Sequence, residues 1–286
     1  MKYLLGSLAV LALSVGVGWA AGANGSVIAG IPSLALLAAL AMAVQWVAWI
    51  PASALQSERF YDLTGSFTYL TVVVSGLTLA TDLGPREWVL SAMVLLWSGR
   101  LGTFLFRRVH RDGKDGRFDE IKTRPPRFLW AWSLQGLWVF LTVLAVLTVL
   151  TGERNPPLGL FDAVGWALWG VGFALEVVAD AQKSRFKADP ANKGAWIEVG
   201  LWRWSRHPNY FGEILLWFGV FLSAATTFAG AQWIAVLSPL FVAFLLSKGS
   251  GVPLLEERAD AKWGGDPAYE AYKERVPVLI PRPPRS

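Results

Sequence analysis

The chain contains eight runs of about 17–24 residues with hardly a charge, at 3–22, 27–50, 66–82, 87–106, 128–151, 161–180, 210–228 and 231–247. Coiled as a helix, such a run spans the hydrocarbon core of a bilayer, about 30 Å thick. A helix also satisfies its own backbone hydrogen bonds there, where no water is available to do so. The implied fold class is an all-α integral membrane protein with seven to eight transmembrane helices, read as one membrane domain over residues 1–286. Only 16% of the residues are charged, against about 25% in a soluble domain. The breaks between runs are rich in turn formers: Gly22-Ala23-Asn24-Gly25, Asp82-Leu83-Gly84-Pro85, Thr151 to Pro157, and Phe228-Ala229-Gly230. Such short links make sequential helices antiparallel hairpins.

Basic residues then set the orientation. With the N-terminus inside, the cytoplasmic segments hold 23 Lys and Arg, the opposite side holds only Arg86 and Arg154, and Arg100 lies within a run. Lys and Arg accumulate on the cytoplasmic side of membrane proteins, so both termini are expected there. Lys2, an apolar stretch and Ala20-Ala21-Gly22-Ala23 also fit a signal peptide over 1–22. The other seven runs keep the same orientation in either case. Four long polar segments lie inside, at 51–65, 107–127, 181–209 and 248–286. The outer face has little beyond tight turns, so a site with several polar contacts is expected on the inner face.

Composition narrows the chemistry. There is no cysteine, which excludes disulfides, thiolate metal sites and a cysteine nucleophile. The only histidines are His110 and His207, too few for a histidine-rich metal centre. Sixteen tryptophans suit helix ends at headgroup level. The formal net charge of +5 follows from the basic inner loops and calls for no nucleic acid.

Four charges fall where a bilayer makes them costly: Arg100 in the fourth run, Glu176 and Asp180 at the inner end of the sixth, and Glu213 one turn into the seventh. A charge at the centre of a span costs about 2.5–3.5 kcal/mol on insertion scales, so such residues face a cavity or a partner. Singly, each of those near the interface could snorkel. Together they point to a polar cavity open to the cytoplasm. Gln45 and Gln135 fit the same cavity or a helix-to-helix hydrogen bond.

The most informative stretch is Gly200-Leu-Trp-Arg203-Trp-Ser205-Arg206-His207-Pro208-Asn209-Tyr210-Phe211-Gly212-Glu213. Pro208 suits the first turn of a helix, so the seventh span starts here. Its free N–H groups, flanked by Arg203, Arg206 and Lys193, offer a phosphate site. Asn209 and Glu213 are four apart and share a face, while Tyr210 and Phe211 offer a stacking surface. The plainer alternative is a basic juxtamembrane segment that binds anionic lipid headgroups. It accounts for Arg203 and Arg206 but not for the His-Pro-Asn-Tyr order or for Glu213.

Arg206-His-Pro-Asn-Tyr-Phe-Gly-Glu213 resembles the signature of the bacterial DUF1295 family, membrane proteins similar to the C-terminal domain of steroid 5-alpha-reductases and more distantly to sterol reductases. The stretch Glu176-Val-Val-Ala-Asp180-Ala-Gln182-Lys183 resembles the family's acidic segment. The tail Leu254-Leu-Glu256-Glu257-Arg258, with Lys262-Trp263-Gly, Tyr269, Tyr272 and Ile280-Pro281, resembles the reductases' closing segment. Glu58-Arg-Phe-Tyr61-Asp62-Leu-Thr-Gly-Ser66 also reads like the DUF1295 pattern. A reductase-like region over 58–282 follows N-terminal helices in 1–57.

The resemblance implies an NADPH-dependent reductase of an activated C=C bond in a lipidic, steroid- or isoprenoid-like substrate, in a bacterial inner membrane. Cofactor would enter from the cytoplasm, with loops and tail forming the nucleotide site, and substrate from the bilayer. Asn209 and Glu213 match positions that hold the nicotinamide end. Asp180, Lys183, Arg206, His207 and Tyr210 match its surroundings. Glu256, Arg258, Lys262 and Tyr272 match tail positions near the phosphates or adenosine. Steroid reductases polarise the substrate ketone with a glutamate and a later tyrosine. Counted back from Arg100, the acid falls at Asp62 or Leu63, and the tyrosine position holds Trp97, which has no phenol. Asp62 is then the candidate acid, with Tyr61 or Tyr69 as hydroxyl donor and Glu58 nearby; Asp62 also reads as a residue at a capped helix start beside Thr64 and Ser66. Two rival classes remain. Isoprenylcysteine carboxyl methyltransferases share a similar Arg-His-Pro-x-Tyr-x-Gly motif and bind S-adenosylmethionine, and a non-enzymatic lipid-binding protein would bind no nucleotide.

Overall fold

The computed structural model describes residues 1–112 and 116–284, without the side chains of 108–112 and 117. Part of the inner segment 107–127, with His110, therefore lies outside the described side chains. Ten α-helices follow in chain order among the described residues: α1 Lys2–Ala21, α2 Ser33–Ala54, α3 Tyr61–Leu79, α4 Pro85–Asp112, α5 Pro125–Thr151, α6 Leu160–Ala188, α7 Pro208–Ala225, α8 Leu237–Phe244, α9 Val252–Trp263 and α10 Pro267–Arg275. The protein is a multi-pass membrane protein by its apolar helices. Six stretches are long and apolar enough to cross a bilayer: α1, α2, Pro85–Arg107 of α4, α5, α6 and Gly230–Trp263, which contains α8. The other two expected spans are helices as well. However, α3 opens on Tyr61-Asp62 and carries Thr64, Ser66 and Thr68, and α7 opens on Pro208-Asn209-Tyr210 and carries Glu213. Those polar first turns lower their mean hydropathy.

Three element boundaries differ from the sequence reading. Residues 27–32 form a small hairpin, Val27–Ile28 against Ile31–Pro32, and α2 starts only at Ser33. Ala29 and Gly30 both have positive φ, 50° and 80°, as a two-residue type I′ turn requires. The apolar run 231–247 is not one helix but a 3₁₀ stretch, α8 and a π turn over Leu245–Gly249. Finally, α6 continues about two turns past Asp180 to Ala188.

The chain packs as two compact units. The first comprises Met1–Asp162 and Phe221–Ser238, the second Ala163–Val220 and Pro239–Ser286. In the first unit α5 is the central helix: every residue from Val139 to Thr151 is buried, and it packs against α1, α2 and α3. Polar contacts tie these helices. Gln45 donates to Thr68 at 2.8 Å, the helix-to-helix bond that was one of its two readings, and the Trp46 indole donates to Ser133 at 2.9 Å. Arg86 is fully buried and forks onto Asp162 at 2.8 and 2.9 Å. Its remaining N–H groups reach Asn155, Pro156 and Pro157, so all five donors are used. The turns around Arg86 are thus held by a paired charge rather than left as loose links.

In the second unit α6 and α7 cross closely. A Cβ on Gly172 would come within 2.5 Å of the Gly212 carbonyl oxygen, and one on Gly212 within 2.6 Å of the Gly172 oxygen. Only glycine permits that approach, which fixes the height of Asn209 against Asp180.

Candidate nucleotide site

The segment before α7 is clamped to the C-terminal half of α6. The Trp202 indole donates to the Ala179 carbonyl at 3.0 Å, Leu201 N–H donates to Gln182 at 2.9 Å, and the Lys183 ammonium lies 4.5 Å above the Trp202 ring. Ser205 then accepts from His207 N–H at 3.1 Å and donates to the Leu279 carbonyl at 2.9 Å. Pro208 opens α7 as the sequence predicts. Here its missing N–H leaves no donor unsatisfied.

The C-terminal tail folds onto this segment. Arg206 N–H donates to the Pro277 carbonyl and Arg282 N–H to the Trp204 carbonyl, each at 2.9 Å. Further out, Trp196 packs on Trp263, Tyr269 and Tyr272, and the Trp263 indole donates to Gly194 at 2.6 Å. Lys273 bridges Asp260 and Glu270 at 2.9 and 3.0 Å, and Arg275 pairs with Glu198. Burial pushes the Tyr269 phenol up to about 12, with Asp260 adding to it, and pushes the Tyr272 phenol up as well. Both stay neutral at any physiological pH.

At the start of α7 the side chains converge. Glu256 of α9 bridges two residues of the motif: Arg206 at 3.0 Å and His207 Nε2 at 2.7 Å. The His207 ring stacks on Tyr210 at 5.7 Å and 11°. Asn209 donates to Asp180 of α6 at 3.1 Å. Asp180, His207 and Glu213 are all buried, as is Glu176 one turn earlier on α6. Burial lowers the His207 pKa below its ordinary value, and Lys183 and Arg206 act in the same direction, against Glu256.

Of the site residues read from the sequence, Asp180, Arg206, His207, Asn209, Tyr210 and Glu256 form this cluster. Lys183 is engaged with Trp202, and Tyr272 belongs to the aromatic wall, its hydroxyl 3.5 Å from the Trp202 carbonyl. Arg258 and Lys262 are exposed on α9, Lys262 lying 4.3 Å over the Trp263 ring. The basic group Arg203, Arg206 and Lys193 does not act as one site: Arg206 turns to Glu256, Lys193 is exposed, and Arg203 lines a cavity of about 290 Å³ with Glu198, Arg275 and Pro284. Ser205, read from the sequence as lying near the cap of this helix, does accept from His207 N–H; Trp196 was not singled out, because nothing local marks a residue whose partners lie about 70 positions away.

In the first unit, the Glu58 carboxylate is buried and pairs with Lys122 at 2.7 Å. The Tyr61 hydroxyl donates to the Ala131 carbonyl at 2.9 Å, its ring packed on Phe118 and Trp132. Asp62 lies in the first turn of α3, half-buried. Tyr69 and Trp97 are buried edge to face at 5.3 Å. Glu58 and Tyr61 thus hold structural contacts within the first unit.

The second unit leaves two polar atoms that a ligand could satisfy. His207 Nδ1 and Arg206 Nε are buried without a hydrogen-bond partner, next to the paired Asn209 and Asp180. Among the described residues no cluster of His, Asp and Glu is arranged to hold a metal ion.

A protein-family model described as "Protein of unknown function (DUF1295)" matches residues 48–276, most of the chain. An uncharacterized protein of fission yeast, Schizosaccharomyces pombe, is 25% identical over 235 residues, which cover 69% of this chain and 64% of that protein. The chain thus spans about 64% of the length of this curated relative. No solved structure matches it.

Proposed function

The chain belongs to the DUF1295 family, and from that premise we propose that it is an NADPH-dependent reductase of an activated C=C bond in a lipidic, steroid- or isoprenoid-like substrate. The reading is supported above all by the 3.1 Å contact of Asn209 with Asp180. It joins two segments, each of which resembles the cofactor-binding parts of steroid 5-alpha-reductases, at the buried inner end of α6. Bound NADPH supplies a hydride to the β-carbon of an enone; the protein positions and desolvates it. Asn209, fixed by Asp180, and Glu213 hold the nicotinamide end. Tyr210 and His207 wall it off from water. Charge that develops on the carbonyl oxygen is discharged by protonation at the α-carbon, which completes the reduction. Both termini and the nucleotide site face the cytoplasm, and substrate arrives through the bilayer.

Thermal unfolding of the purified protein with NADPH, NADH and S-adenosylmethionine tests this reading. NADPH should raise the midpoint, by linkage of binding to the folded state. Asn209→Ala and Glu213→Ala should abolish that rise while the protein still inserts. Stabilisation by S-adenosylmethionine alone would mark a methyltransferase, and no response to any of the three a non-enzymatic lipid-binding protein.

A further inference from the structure

Buried polar atoms in native proteins are almost always hydrogen-bonded, and each exception calls for an explanation. Two consecutive residues here carry one apiece: Arg206 Nε and His207 Nδ1. His207 is only 5% exposed. The same two residues share Glu256, Arg206 through Nη2 and His207 through Nε2. Glu256 therefore determines what the remaining His207 nitrogen offers a ligand.

An ionised carboxylate has no proton to give. The 2.7 Å contact requires that Nε2 carry the proton and donate it to Glu256 Oε1. Burial keeps the ring neutral, with Lys183 and Arg206 adding to that effect and Glu256 opposing it. In a neutral ring protonated on Nε2, Nδ1 is a bare lone pair and can only accept. Arg206 Nε is always N–H and can only donate. A phosphate, which only accepts, satisfies the second atom and not the first.

We propose that Glu256 locks His207 in the Nε2–H tautomer, so that His207 Nδ1 accepts from an O–H or N–H of the bound nucleotide, a ribose hydroxyl or a carboxamide. This rests on the nucleotide-binding reading above. It assigns the start of α7 to the uncharged, donor-bearing part of the ligand, and takes the phosphates away from the helix N-terminus where the sequence had put them. His207 is a binding residue, and Glu256 is a positioning residue that acts through it.

The chain's two histidines make the test direct. His110→Gln leaves His207 as the single histidine, so ¹⁵N-histidine labelling reports one ring. The spectrum at neutral pH should be that of a neutral ring with Nδ1 unprotonated, and NADPH should shift Nδ1 while inorganic phosphate should not. In Glu256→Gln the Arg206 guanidinium, which can only donate, takes the amide oxygen, so the amide N–H faces His207, the tautomer reverses, and NADPH affinity falls about two- to tenfold, the worth of one hydrogen bond. An imidazolium or an Nδ1–H tautomer in the otherwise unchanged protein overturns the proposal, and this spectrum decides whether or not the Glu256 variant folds. NADPH that stabilises the protein yet leaves Nδ1 unmoved overturns it too, and leaves the reductase reading standing. A shift of Nδ1 by S-adenosylmethionine, which also carries N–H and O–H donors, but not by NADPH supports the acceptor role and refutes the reductase. A ring that moves with none of the three ligands refutes the acceptor role.

Discussion

Asp162→Ala should destabilise the protein by about 3–5 kcal/mol, the cost of removing one partner from a buried ion pair. Asp162 accepts four hydrogen bonds: two from Arg86, one from Ser223 at 2.8 Å and one from Gly159 N–H at 2.9 Å. Removing the carboxylate strands the Arg86 charge, which has no exposed surface at all, and leaves it only Asn155 and two proline carbonyls. The upper half of the range is expected, because the guanidinium has no route to water. Unfolding in detergent micelles titrated with dodecyl sulfate, followed by tryptophan fluorescence, measures the loss. The double variant Arg86→Met with Asp162→Leu supplies the control, since a buried pair replaced by apolar residues of similar volume is often neutral. It should recover most of the loss, as a coupling of the two sites well above additivity. A single variant within about 1 kcal/mol of the parent would refute the reasoning, since it would mean that the charge is solvated on unfolding no better than in the fold. So would a double variant that costs the sum of Arg86→Met alone and Asp162→Leu alone.

Three further outcomes follow from the same contacts. Gly212→Ala should cost about 1–3 kcal/mol by overpacking the α6–α7 crossing and should weaken nucleotide stabilisation more than any exposed Gly→Ala change, as thermal shifts with and without NADPH will report. His207 has its folded-state pKa held below the ordinary 6.5, so the unfolded chain binds the extra proton first. Its contribution to stability is complete above about pH 6.5 and declines as pH falls below that value, and His207→Asn should remove that decline from the profile of unfolding midpoint against pH. Because the chain has no cysteine, single introduced cysteines report sidedness cleanly: Glu153→Cys should react with an impermeant maleimide from outside the cell and Lys193→Cys only after permeabilisation, and the reverse pattern would refute the proposed orientation.

Much of this structure could be read from the sequence, for reasons that are local. An apolar run of some 20 residues forms a helix in a bilayer whatever it packs against, and Pro208 marks a helix start by its own geometry. The Asn209–Glu213 face followed from helical spacing alone. What was not legible depends on partners distant in sequence. Glu256 lies 49 positions from His207, and Asp162 lies 76 from Arg86, so neither pairing leaves a trace in composition or period. The 27–32 hairpin was read as helix because its apolar residues fit either period. The run 231–247 was read as continuous because a π turn has no sequence mark of its own. The positive φ of Ala29, a residue that rarely adopts it, could not have been anticipated from residue type.

The charges themselves show why a count over a whole face misleads about one point on it. In the proposed orientation the inner segments carry 23 basic residues, and such a field draws anions toward the membrane surface and falls off over about a Debye length. Within the cluster at α7 the balance is reversed. Asp180, Glu213 and Glu256 supply three carboxylates against Arg206 and Lys183, with Arg206 paired to Glu256 and His207 held neutral. On the proposed reading, a dinucleotide gains most by leaving its phosphates among exposed cations such as Arg258 and Lys262 and presenting an uncharged ring to α7. This is the orientation that hydride transfer in a dry site requires, since it leaves the charged phosphates where water and exposed cations can meet them.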